Sequence, residues 1–172
     1  MKTPTTFALV TAALAWAAPA PAQIKLGVEA GDRVVETLEA GKVVKSEPVP
    51  GASIVKVTPG GIADGFKLQK DDLIRGVVSE GLGKRRIDSI ADLVWVMDHS
   101  TRTPSEIYLI RKDAQKREQL LKVGLVQEER VINQQQTSGG GQSKVVAVKV
   151  LVNVPKFTPA KDTDLAEFKP AK

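Results

Sequence analysis

The chain has no cysteine, and only 4% of its 172 residues are aromatic. The lack of cysteine excludes disulfide bonds, thiolate metal sites and cysteine nucleophiles. Because aromatic side chains are scarce, the core must be built mainly from valine, isoleucine and leucine, and burial alone must hold it together. At 42% hydrophobic residues, the chain still has enough apolar side chains for one globular domain with extensions.

Histidine is almost absent as well, since His99 is the single one. A Ser-His-Asp arrangement would have to use it, but it lies at the end of a predicted helix beside Ser100, where a capping or surface role is expected. The chain has no Gly-x-Ser-x-Gly, His-Glu-x-x-His or Gly-Lys-Ser/Thr motif. We therefore predict a protein that is not an enzyme and that uses no cofactor and no metal ion.

The formal net charge of +5 is a mild and dispersed excess. The densest basic clusters, at 84–86 and 111–117, are predicted to be solvated turns. Aromatic residues do not alternate with these basic residues, as they do in many nucleic-acid-binding surfaces. Nucleic acid is therefore not a predicted partner.

The first 22 residues have the features of a secretory signal peptide. Lys2 precedes a mostly apolar run from Phe7 to Ala18, and Ala20-Pro21-Ala22 matches a small-x-small cleavage site. We predict cleavage after Ala22 and an exported, periplasmic protein with no membrane span, because the run is shorter than the roughly 20 residues that a bilayer requires. An uncleaved anchor is the alternative.

The segment 51–74 carries the most informative pattern in the chain. β-branched residues at strand spacing come first, Pro59 and Gly60 then stop the strand, and a short apolar helical face follows before Leu73 begins another strand. The residues that carry the pattern are Ile54, Val55 and Val57 in the strand, and Ile62, Ala63 and Phe66 in the helix.

This order of residues resembles the centre of a PDZ domain of the bacterial periplasmic serine protease type, here expected without the protease domain. The resemblance covers residues 23–125. It implies an α+β fold, namely a small, partly open β-barrel of five or six strands capped by two helices. Lys67 and Asp71 stand where the family has glycine, so both turns are expected to be strained or altered in shape.

The resemblance also implies a peptide-binding site. PDZ domains bind an extended peptide by strand addition between a sheet edge and a helix, and a loop of N–H groups holds its terminal carboxylate. The segment 25–28 matches the x-Leu-Gly-apolar loop of the family, and Ser89 with Asp92 predicts where the helix begins. The expected peptide-binding residues are Leu26, Gly27, Val28 and Glu29 near the strand, and Ile90, Val94 and Met97 on the helix.

The residues alone leave alternatives open at this site. The segment 24–28 is also typical of an ordinary first strand with Gly27 at a bulge. On the helix, Leu93 is predicted to be a core residue, while Val94 and Met97 could face either the core or the groove.

The function that follows is a non-catalytic, exported module that captures peptide or protein C-termini. The alternative is a scaffold or assembly subunit, or an adaptor of a separate periplasmic protease in an envelope complex.

Three segments follow the predicted domain. Residues 126–143 are polar and Gly-rich towards their end and are predicted to be a flexible linker. Residues 144–154 are rich in valine and β-prone, and either fold back on the domain or add to a partner's sheet. Residues 155–172 are rich in proline and charge and are predicted to be disordered.

Overall fold

The computed structural model describes residues 11–13, 22–39, 42–137 and 143–171. Within them the chain forms ten strands and three short helices. The strands are β1 (Thr11–Ala13), β2 (Ala22–Ile24), β3 (Val28–Glu39), β4 (Lys42–Val57), β5 (Leu73–Ser79), β6 (Gly83–Arg86), β7 (Glu106–Lys112), β8 (Glu118–Thr137), β9 (Ser143–Pro159) and β10 (Lys169–Pro170). The helices are α1 (Ile62–Gly65), α2 (Ile90–His99) and α3 (Asp162–Ala166).

The strands form one open, mainly antiparallel sheet in the order β1-β3-β4-β5-β7-β8-β9. β2 is paired to β3, β6 to β5, and β10 runs parallel to β6. The prediction of an α+β fold is confirmed at this level. Within the predicted domain 23–125 the structure has the two predicted helices, α1 and α2, and seven strands, β2 to β8, where five or six were predicted. The third helix, α3, follows the long β8–β9 hairpin and lies outside that domain.

The core is aliphatic, as the shortage of aromatic residues predicts. Phe66 is the one aromatic residue among the largest side chains that are fully buried within the described ranges. The others are Leu26, Val28, Ile54, Leu73, Ile74, Val77, Ile87, Leu93, Val96, Ile107 and Leu109.

The segment 51–74 folds as its pattern predicts. β4 ends at Val57, the chain turns through Pro59 and Gly60, and α1 follows before β5 begins. Lys67 and Asp71 have φ angles of 54° and 71°, so both keep the left-handed backbone that favours glycine. The two turns are therefore strained rather than altered in shape.

The helix α2 begins where the capping pattern predicts. The Ser89 hydroxyl accepts a hydrogen bond from the backbone N–H of Asp92, at 3.3 Å. Leu93, Val96 and Met97 are buried on the inner face of α2, while Ile90 and Val94 are half-buried beside them.

The predicted linker differs from the structure. Residues 126–137 continue β8, and only 138–142 of the predicted linker lie outside the described residues. The β-prone segment 144–154 lies within β9, which pairs with β8 of the same chain over its whole length. β8 remains a strand because its polar residues gain a backbone hydrogen-bonding partner, a long-range effect that composition does not reveal.

The C-terminal residues 155–171, predicted as a disordered tail, form the end of β9, α3 and β10. β9 continues to Pro159, and α3 then places Leu165 and Phe168 against Tyr108. The ring of Phe168 lies edge-on to that of Tyr108, with 4.9 Å between centroids. Gly76 makes this possible, because a Cβ there would lie 2.7 Å from Phe168 Cε1.

Most of the predicted signal peptide lies outside the described residues. Of its 22 residues, 11–13 form β1, which pairs with β3, and Ala22 belongs to β2. Within the described ranges, we find no helix that combines the length and the apolar character needed to cross a bilayer.

Candidate functional site

The predicted site residues lie around the space between β3 and α2, which we call the slot. The two elements run in opposite directions and are joined at both ends. At one end the Asp32 carboxylate accepts a hydrogen bond from the backbone N–H of Ile90, at 2.7 Å. At the other end the Lys25 ammonium lies 3.0 Å from the Asp98 carboxylate. The intervening part of β3, residues 28–32, is about 17 Å long.

The turn 25–27 closes one end of the slot. Gly27 has a φ of +80°, and a Cβ there would lie 3.2 Å from the Cα of Gly61. The carbonyl oxygens of Leu26 and Gly27 accept hydrogen bonds from the backbone N–H groups of Ala63 and Thr58, at 2.9 and 2.8 Å. Gly27 therefore forms a tight turn fastened to the α1 segment, and not a bulge within a strand.

The walls of the slot bring the predicted residues together, but several are deeper than expected. Leu26, Val28 and Met97 belong to the buried core. Leu26 and Val28, which are expected to bind the peptide, are fully buried within the core in this conformation. The remaining three side chains, those of Glu29, Ile90 and Val94, are half-buried.

The edge of β3 within the slot is already paired. β2 runs antiparallel to it, with Ala22, Gln23 and Ile24 opposite Ala30, Glu29 and Val28. β2 also lies beside α2. The chain's own segment 22–24 thus occupies the sheet border that an added strand would use.

A cavity of about 560 Å³ opens at the Gly27 end of the slot. Its lining combines apolar and cationic groups with hydroxyls: Lys25, Ile62, Met97, Ser100, Thr101, Arg102 and Thr103. The Arg102 guanidinium lies 2.6 Å from the Glu80 carboxylate. Sequence reasoning missed the lining at 100–103, because a polar segment after a helix has no pattern that separates it from an ordinary loop.

His99 contacts Trp95 of its own helix. Its ring stacks on Trp95 with 4.3 Å between centroids, and its Nδ1 lies 2.8 Å from the Trp95 carbonyl oxygen. Across the described part of the chain, no group of three or more histidine or acidic side chains is arranged to hold a metal ion.

Comparisons of the chain with protein families, with curated proteins and with solved structures found no match in any of the three.

Proposed function

We propose that this chain is a PDZ-like, non-catalytic module of the cell envelope that binds extended peptides at the β3 edge, beside α2. The observation that carries the proposal is β2 itself. An extended segment of the chain already pairs antiparallel with residues 28–30 inside the slot. Backbone pairing of this kind is how a sheet edge binds a peptide regardless of its sequence.

A ligand can compete with β2 because β2 pairs through only three residues. The slot extends to Asp32, so an added strand has five residues of β3 available, 28–32. A longer partner gains additional backbone hydrogen bonds, each with a net value of about 1 kcal/mol. If the predicted cleavage after Ala22 occurs, β2 loses its first residue and competes less well.

The end of the slot at Gly27 suits a terminal carboxylate. A ligand antiparallel to β3 would direct its C-terminus towards this turn. The ammonium of Lys25 and the guanidinium of Arg102 line the adjoining cavity, and Met97 and Ile62 provide its apolar surface. A peptide that ends in an apolar residue with a free carboxylate therefore complements this end.

The proposal is tested by titrating the chain from Gln23 with peptides that end in Val, Leu or Phe, each with a free or an amidated C-terminus. A second form beginning at Lys25, which lacks β2, should bind about tenfold more tightly because it has no internal competitor. Equal failure of both forms to bind any peptide would contradict the proposal. Equal binding of free and amidated peptides would remove only the role of the carboxylate.

Two glycines provide a matched pair of variants. Gly27→Ala and Gly60→Ala both place a side chain at positive φ, at +80° and +75°. Only at Gly27 does the new Cβ meet the α1 segment, since nothing lies within 4 Å of a Cβ at Gly60. We expect Gly27→Ala to weaken peptide binding and Gly60→Ala to leave it unchanged. The comparison is made between variants with similar free energies of unfolding.

A further inference from the structure

Past the last residues that pair with β7, β8 and β9 continue as a two-stranded ribbon. We define the arm as residues 126–135 paired with 145–154. The last residue of β8 that pairs with β7 is Gly124. Every side chain from Val126 to Gln135 on β8 is exposed. On β9, the odd-numbered side chains of 145–153 are exposed and the even-numbered ones of 146–154 are half-buried. Two-stranded ribbons of this kind are marginally stable in water unless another layer covers them.

The two faces of the arm differ in character. Side chains alternate between the two faces of a strand. Leu121 and Val123 on β8 pack in the core, so the odd-numbered face of the arm is the one that continues from the core face. The opposite face is the even-numbered one, and we call it the valine face. Its branched apolar residues are Val126, Ile132, Val146, Val148, Val150, Val152 and Val154. The odd-numbered face carries only three, at Val131, Val145 and Leu151, so the ribbon is amphipathic.

The charges of the valine face are self-complementary. Near its middle lie Glu128 and Arg130, with 3.7 Å between their carboxylate and guanidinium groups. These two are the only charged residues of the face within the arm, which is therefore neutral. A two-fold axis passing near them places Glu128 of one copy beside Arg130 of the other. A strongly acidic or basic partner gains no such pairing.

The face suits this contact better than the outer edge of β9 does. Lys149 and Lys156 lie along β9, and lysines on an edge strand are a common guard against strand addition. Two sheets stacked face to face instead lie about 10 Å apart and bury the apolar side chains between them. Such a contact leaves Lys149, which lies on the odd-numbered face, in water.

We propose that the chain forms a reversible homodimer in which the valine faces of two arms pack against each other. Ten residues of a two-stranded ribbon cover roughly 34 by 10 Å, which is less than half of the about 800 Å² per partner in a standard interface. The dimer is therefore weak, with a dissociation constant in the micromolar range. This inference is independent of the peptide-binding proposal, since the arm lies outside the slot.

The test measures the molar mass of the chain from Gln23 by sedimentation at chain concentrations from about 1 to about 100 µM. A small interface is expected to dissociate within this concentration range. The mass should rise from one copy to two. Val150→Lys should raise the dissociation constant at least about 100-fold, because each copy would bury an unpaired ammonium. Ala147→Lys adds the same charge to the opposite face of β9 and should change little.

A second pair of variants, in which a charge of the valine face is reversed, tests the proposal if Val150→Lys fails to fold. Glu128→Arg and Arg130→Glu should each weaken self-association, and their mixture should restore a dimer of one copy of each. A wild-type chain that stays monomeric throughout would overturn the proposal. So would equal effects of Val150→Lys and Ala147→Lys, growth beyond two copies, or a mixture that does not associate while both variants are folded.

Discussion

Removal of the Asp72 carboxylate should strongly destabilise the fold. Asp72 lies in the turn before β5, and its side chain is only 2% exposed. The carboxylate accepts two hydrogen bonds from Arg111, at 2.8 and 2.6 Å, and one from the backbone N–H of Gln69, at 2.8 Å. Arg111 also donates to the Lys67 carbonyl oxygen and stacks over Phe157, 4.6 Å from the ring centroid. This pair therefore joins the α1–β5 turn to β7 and β9.

The expected cost follows from burial. Removing one of the two charged groups of a buried ion pair lowers the free energy of unfolding by about 3–5 kcal/mol, because the remaining charge stays buried without a partner. Arg111 is 19% exposed and keeps its bond to Lys67, so Asp72→Ala should lie at the lower end, at about 3 kcal/mol. Arg111→Met leaves the deeper charge, the Asp72 carboxylate, unpaired and should cost about 4 kcal/mol.

The free energies of unfolding are measured by urea titration, with Trp95 fluorescence and circular dichroism as the two signals that monitor unfolding. The control is Glu80→Ala, which breaks an equally short ion pair with Arg102 whose side chains are 63% and 72% exposed. It should change the free energy of unfolding by less than about 1 kcal/mol. Asp72→Ala combined with Arg111→Met should cost clearly less than the sum of the single changes, with a coupling of about 2 kcal/mol. A loss for Asp72→Ala no larger than that for Glu80→Ala would refute the reasoning.

Three further predictions concern backbone strain, close packing and acid sensitivity. Lys67→Gly and Asp71→Gly should each raise the free energy of unfolding by about 0.5–1 kcal/mol, because glycine relieves the left-handed backbone there, whereas alanine at either position should give no gain. Gly76→Ala should cost about 1–3 kcal/mol, because the new Cβ would overlap the Phe168 ring. The cost should shrink in a Phe168→Leu background, and an equal cost there would contradict this account. The backbone N–H of Arg117 holds the pKa of Asp113 below its ordinary range. The stability that Asp113 contributes is therefore present above its unfolded pKa of about 4 and is lost as the pH falls through the folded pKa. Asp113→Asn should reduce the fall in the urea midpoint on acidification, and an unchanged fall would count against the role of this carboxylate.

Local patterns in the sequence determined the central elements of this fold. The alternation in 51–57, the Pro-Gly turn and the Ser89 cap each act through neighbours a few residues away. At Lys67 and Asp71 the sequence left strained or altered turns as alternatives, and the positive φ angles of the structure decided between them. An aliphatic core follows from composition alone.

Contacts between distant segments decided what the sequence did not reveal. Residues 126–137 are polar and carry no strand pattern of their own, yet they form a strand because the valines of β9 pair with them. Phe168 and Leu165 lie in a segment rich in charge, and they are buried because they pack against Tyr108 and because Gly76 has no side chain to overlap the Phe168 ring.

The candidate site divides in the same way. The turn at Gly27 was expected only from the resemblance, with a bulge as the alternative, and Leu93 was the one residue of α2 that the sequence placed in the core. The pairing of β2 with β3 could not be predicted, because a three-residue strand has too few side chains to form a pattern, and backbone hydrogen bonds across a sheet form without regard to sequence. Tertiary structure alone therefore decided that the border of the slot is filled by the chain itself.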